Sequence, residues 1–84
     1  MTNNKIIKKK IIYRSTHRGS KEMDILLGSF VNKYINTLTI AEQKDLLIML
    51  NLEDDILYRI YFKKIIKTNI KKKKIFKLFS KFEI

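Results

Sequence analysis

Apolar residues recur at three- and four-residue spacings through most of the chain, and no stretch shows a sustained alternation of apolar and polar positions. That periodicity is helical, so the pattern predicts an all-α protein without strands. The longest clean stripe is Met23, Leu26, Leu27, Phe30, Val31, Tyr34 and Leu38, one buried face of a helix running from about Lys21 to Asn36. Ahead of it, Ile7, Ile11, Ile12 and Ser15 share a face, which predicts a shorter helix from Lys5 to His17 after a frayed start at residues 1–4. Behind it, a third helix to about Asn51 turns Ile40, Gln43, Leu46, Leu47 and Leu50 inward, and a fourth buries Ile56, Leu57, Ile60 and Tyr61. From Asn69 to Phe82 the residues Ile75, Phe76, Phe79 and Phe82 gather on one side, as either a fifth helix docked on the bundle or a loosely ordered amphipathic tail. The expected architecture is a single domain over residues 1–84, a small bundle of four to five short helices. Its core is expected at about 5–62, with a basic helix or tail over 63–84.

The breaks between helices are marked by residues whose chemistry suits helix ends. The chain has two glycines and no proline. Gly19 follows basic residues, as a helix C-terminus prefers, and can take the left-handed conformation that closes a helix. Ser20 can accept from a free amide of the next helix, and Glu22 and Asp24 place negative charge where that helix dipole is positive. A sharp elbow between two helices is therefore expected here. Thr39 and Glu42 have the spacing of a capping box. Glu53, Asp54 and Asp55 suit the start of the fourth helix. Gly28 lies inside the second helix, where glycine costs about 1 kcal/mol relative to alanine, so a close helix crossing is expected at that point.

Eighty-four residues can bury only about 60 to 65% of their unfolded surface, which leaves no room for a large catalytic cavity. With no cysteine, disulfides and thiolate metal sites are excluded. Lysines interrupt the N-terminal isoleucines, and no uncharged run approaches the roughly 20 residues of a membrane-spanning helix, so a cytoplasmic protein is expected. The formal charge of +11 is unevenly distributed: residues 1–18 hold six bases and no acid, 19–62 four bases and seven acids, and 63–84 nine lysines against Glu83. The middle is thus mildly acidic. Lysine, isoleucine and asparagine fill 37 of 84 positions, a bias that adenine-rich codons produce and that places much of the charge on solvated surface. A basic helix-turn-helix domain is the alternative reading, but its recognition helix would offer only Lys21, Asn32, Lys33 and Asn36, so nucleic acid is not the expected partner.

Catalytic chemistry is thinly supplied. The single histidine, His17, sits between Arg14 and Arg18 with no orienting carboxylate beside it in sequence. No glycine-rich loop cradles phosphate. Three adjacent carboxylates at a helix start cannot all point at one ion, so neither a catalytic residue nor a metal site is expected. His17 and Arg18 exceed what capping needs, and a guanidinium beside a glycine suits docking onto a partner's carboxylate or backbone.

The run Arg18-Gly19-Ser20-Lys21-Glu22-Met23-Asp24, with Arg14 to His17 before it and Ile25 to Phe30 after it, resembles the succinate dehydrogenase assembly factor family, also called flavinators. The likeness continues through Leu38-Thr39 and Glu42 to Leu50, and into Glu53-Asp54-Asp55 and Leu57-Tyr58, covering roughly residues 8–62. Thr16 stands where many relatives carry an aromatic residue, and Asp54 replaces their usual proline. The resemblance implies a monomeric, non-enzymatic factor that binds the flavoprotein subunit of succinate dehydrogenase, or of fumarate reductase, and helps it attach its FAD covalently. No cofactor is expected to stay on the factor itself. On that reading Gly19 permits close approach, Arg18 makes a charge-assisted contact with the partner, and Glu22 and Asp24 engage it or fix the elbow. Arg14 and His17 are secondary contact residues, and Arg59 is a minor one.

Overall fold

The computed structural model describes residues 2–64 and 74–83. Among these, five helices form, α1 (Thr2–Thr16), α2 (Lys21–Tyr34), α3 (Ile40–Leu50), α4 (Asp54–Phe62) and α5 (Lys74–Lys81), and no strand does. The all-α expectation holds. α1 packs against α2 and α3, while α5 packs against α3 and α4.

Local chemistry sets the helix starts. Ser20 accepts from the Met23 amide at 3.2 Å, and Thr39 and Glu42 close a full capping box, with Thr39 N donating to Glu42 Oε1 at 2.9 Å and Glu42 N to Thr39 Oγ1 at 3.1 Å. Glu53 is the N-cap of α4 but makes no capping bond with its side chain; its neighbours Asp54 and Asp55 occupy the first turn. α1 begins at Thr2, so the chain is helical where fraying was expected. The Asn69–Lys73 part of the C-terminal segment lies outside the described residues.

One hydrophobic cluster draws on all five helices. Phe30 of α2 meets Phe79 and Phe82 edge-on, with ring centroids 5.3 Å apart in both cases, a geometry that aromatic quadrupoles favour. Tyr61 packs on Phe79 and donates its hydroxyl to the Phe82 carbonyl at 2.6 Å. α5 is therefore part of the core, which extends beyond the expected 5–62 to Phe82. Two inward assignments are corrected. Ile12 and Ile40 are half exposed, whereas Ile11 is fully buried as expected and Met49, not expected inward, is fully buried as well. Both residues lie at the edge of a correctly placed face, and how far that face is covered depends on neighbours distant in sequence. The close crossing expected at Gly28 is not found: a Cβ there would lie 3.8 Å from the methyl of Thr16, the last residue of α1, an ordinary contact that does not demand glycine.

Candidate functional site

Between α1 and α2 the chain turns through His17, Arg18, Gly19 and Ser20, and the side chain of Arg18 points into the protein. Its guanidinium has five N–H donors. Nε donates to Asp54 Oδ1 at 2.9 Å, with Nη2 2.8 Å from the same oxygen in the ion pair; Nη1 donates to the carbonyls of Leu50 and Arg14 at 2.6 and 3.1 Å, and Nη2 to the Leu52 carbonyl at 2.8 Å. One cation thus satisfies carbonyls freed at the ends of α1 and α3 while pairing with the first turn of α4. Only 9% of the side chain remains exposed. The expectation of an outward guanidinium gripping a partner is corrected: Arg18 is an internal brace.

The brace continues through the backbone. Arg18 N donates to Asp24 Oδ1 at 2.7 Å, and Gly19 N donates to Asp54 Oδ2 at 2.8 Å. Of the two roles expected for Asp24, this geometry supplies the one that fixes the elbow. Gly19 does not have a positive φ, so it is not the left-handed helix terminator expected. It is small for another reason: a Cβ built there would stand 3.0 Å from Asp54 Oδ2. The close approach that glycine permits is made here by the protein's own carboxylate.

The remaining expected residues face outward. Gly19, His17, Arg14 and Glu22 are exposed, and Glu22 has no ion-pair or hydrogen-bond partner among the described residues. Arg14 donates to Asn51 Oδ1 at 2.7 Å. His17 Nδ1 lies 2.8 Å from the Tyr13 carbonyl and 3.1 Å from Thr16 Oγ1. The ring stacks on Tyr13 with centroids 3.9 Å apart. Arg59 is exposed on α4, away from the turn in sequence but lining a concavity with Ser20 and Asp54. The residue that sequence reasoning missed is Asp54, read only as a helix-start acid. A carboxylate 36 residues from its arginine leaves no periodic signal.

Around this corner Arg14, His17, Gly19, Asn51, Glu53 and Asp54 line an open concavity of about 400 Å³. Among the described residues no cluster of His, Cys, Asp and Glu could hold a metal ion, and no helix is long and apolar enough to cross a membrane. The arrangement can present backbone, a carboxylate and an imidazole on a rigid frame to another polypeptide.

A family model described as flavinator of succinate dehydrogenase matches residues 9–83. A relative from Dictyostelium discoideum, named succinate dehydrogenase assembly factor 2, mitochondrial, is 36% identical over 58 residues, or 69% of this chain. The match spans 41% of that relative's length. No solved structure matches the chain.

Proposed function

The chain belongs to the family of succinate dehydrogenase flavinators, and from that premise we propose that it binds the flavoprotein subunit of succinate dehydrogenase and promotes covalent attachment of FAD to it. Attachment replaces a C–H bond of the flavin's 8-methyl carbon with a bond to a histidine nitrogen of that subunit; the C–H and N–H protons leave and the two electrons pass into the flavin ring, which is its own oxidant and ends reduced. The factor contributes no reacting group. It binds one arrangement of the flavoprotein better than others, and it shifts the population only by that difference in affinity.

The observation that carries this reading is the braced corner. Preorganised surfaces bind with less loss of conformational entropy, and here the Arg18–Asp54 pair and the Asp24 carboxylate fix the backbone before any partner arrives. Gly19, Glu22, His17 and Arg14 make the contacts, while Arg18 and Asp24 hold them in place. FAD itself remains with the flavoprotein, because the corner's open concavity and the lack of a phosphate-cradling glycine loop do not fit a resident dinucleotide.

The test is co-production of the flavoprotein with wild-type chain or with Glu22→Arg, which alters an exposed side chain without touching the brace. Flavin fluorescence retained by the denatured flavoprotein reports covalent attachment. Wild type is expected to raise it over the flavoprotein alone and Glu22→Arg to raise it less. Equal retention in all three samples overturns the reading.

A further inference from the structure

The far side of the bundle from the braced corner's α1–α2 turn carries a second organised surface, built by the end of α4 and the outer side of α5. Ile75, Phe76, Phe79 and Phe82 are buried, which leaves Lys74, Lys77 and Lys81 exposed on the opposite side of α5. At about 3.6 residues per turn these three lysines fall within about 60° of one another. Lys74 pairs with Glu42 at 3.2 Å. Lys77 and Lys81 have no carboxylate partner among the described residues, and neither does Lys64 just after α4. Lys64 lies over the Tyr61 ring and donates to the Ser80 carbonyl, contacts that fix its ammonium without cancelling its charge.

Two rings stand out of the protein beside these cations. Phe62 is 55% exposed and Tyr58 47%. Phe62 is held by Tyr58, tilted at 4.6 Å between centroids, and by Tyr61, edge-on at 4.8 Å. Phe62, Lys64, Ser80 and Lys81 line one open concavity of about 750 Å³, in which Glu83 is the single acid. Lys63 follows Phe62 and lines the next hollow with Tyr58, so it borders the surface. In that hollow the acids Asp54 and Asp55 lie at the start of α4, about two turns before Phe62, with Arg59 between.

We propose that the end of α4 and the outer side of α5 form a docking surface for an anionic lipid bilayer, with Phe62 entering the headgroup region and Lys64, Lys77 and Lys81 against the lipid phosphates. Lysines around a protruding aromatic ring supply the two signals, charge and apolar insertion, that peripheral binding to such a surface combines. The residue types select this occupant. Protein–protein interfaces are depleted in lysine and enriched in arginine, and the cations of this concavity are both lysine. The same lining holds no Arg, Asn or Gln to read a base edge, and Phe62 already has two rings against it where a nucleic-acid base would stack. An ammonium on a flexible stem suits headgroup phosphates, which present no fixed geometry.

The experiment floats the full chain with vesicles of phosphatidylcholine alone and of equal parts phosphatidylcholine and phosphatidylglycerol, at about 50 and 200 mM salt. Wild type is expected on the anionic vesicles only, and less of it at the higher salt. Each lysine at an anionic surface strengthens binding about fivefold, so Lys77→Gln/Lys81→Gln is expected to weaken it about 25-fold. Lys9→Gln/Lys10→Gln removes the same charge from α1 and is expected to stay within about 2-fold of wild type. The chain has no tryptophan, so Phe62→Trp supplies a single reporter, whose emission is expected to shift to the blue on anionic vesicles. Absence of wild-type binding to them, equal losses from the two lysine pairs, or an unshifted emission overturns the proposal. So does wild-type binding to a single-stranded oligonucleotide as tight as to the vesicles. None of these outcomes bears on the proposed function, which requires no lipid contact.

Discussion

Replacing Arg18 by alanine tests the internal brace directly. The substitution removes four hydrogen bonds, one of them to a carboxylate, together with the ion pair, and leaves Asp54 with the Gly19 amide as its remaining contact at the corner. Breaking a fully buried pair costs about 3–5 kcal/mol and losing a surface pair about 0–1. Asp54 is 29% exposed, and the corner carbonyls border an open concavity that water can enter, so the loss falls between, at about 2–4 kcal/mol. Total stability for a chain of this length is about 4–13 kcal/mol, so the variant gives up a large share of it. At about 4–8 °C per kcal/mol, Tm falls by roughly 10–30 °C. Urea unfolding followed by circular dichroism measures the change as a lower midpoint with an unaltered slope. Arg18→Lys should recover less than half, because an ammonium lacks the planar fork that reaches a carboxylate and separate carbonyls together. A loss below about 1 kcal/mol for alanine, or full recovery with lysine, would refute the brace.

Gly28→Ala should stabilise the protein by about 0.5–1 kcal/mol, since the added methyl meets only the Thr16 methyl at 3.8 Å and a helix interior favours alanine; a fall in the urea midpoint would contradict that contact geometry. Glu42 titrates below its ordinary value of 4.5, chiefly because the Thr39 amide donates to it, with Lys74 adding a second contact. Its contribution to stability is therefore fully present above 4.5 and is lost as pH falls through the depressed folded value. The difference in urea midpoint between wild type and Glu42→Gln should shrink on acidification below 4.5, and a constant difference from pH 7 to pH 3 would show that the charge is immaterial.

The resemblance to flavinators rests on the arginine–glycine–glutamate run, and the structure divides the work of that run. Glu22 faces solvent, whereas Arg18 is turned inward and braces the turn that Gly19 and Glu22 flank. Residue types alone point Arg18 at the partner and leave Glu22 between the partner and the elbow, because an arginine beside a glycine looks equally suited to an external or an internal carboxylate.

What the sequence determined by itself was local. α2, α3 and α4 begin within a residue or two of where the periodicity and end chemistry place them, and the Ser20 and Thr39–Glu42 caps form as expected. A cap is closed by atoms within one turn, so nothing distant is needed to specify it. The aromatic face of α5 was legible in the same way, although whether it would dock or remain a tail was not. Tertiary structure decided everything that required a second segment. It left Ile12 and Ile40 half exposed and buried Met49, joined Tyr61 to Phe82, and brought Asp54 to Arg18 and Gly19. In a chain this rich in isoleucine and lysine, several faces of a helix have nearly the same hydrophobicity. The buried face is then settled by which neighbouring helix excludes more water from it, and that choice exists only once the helices have come together.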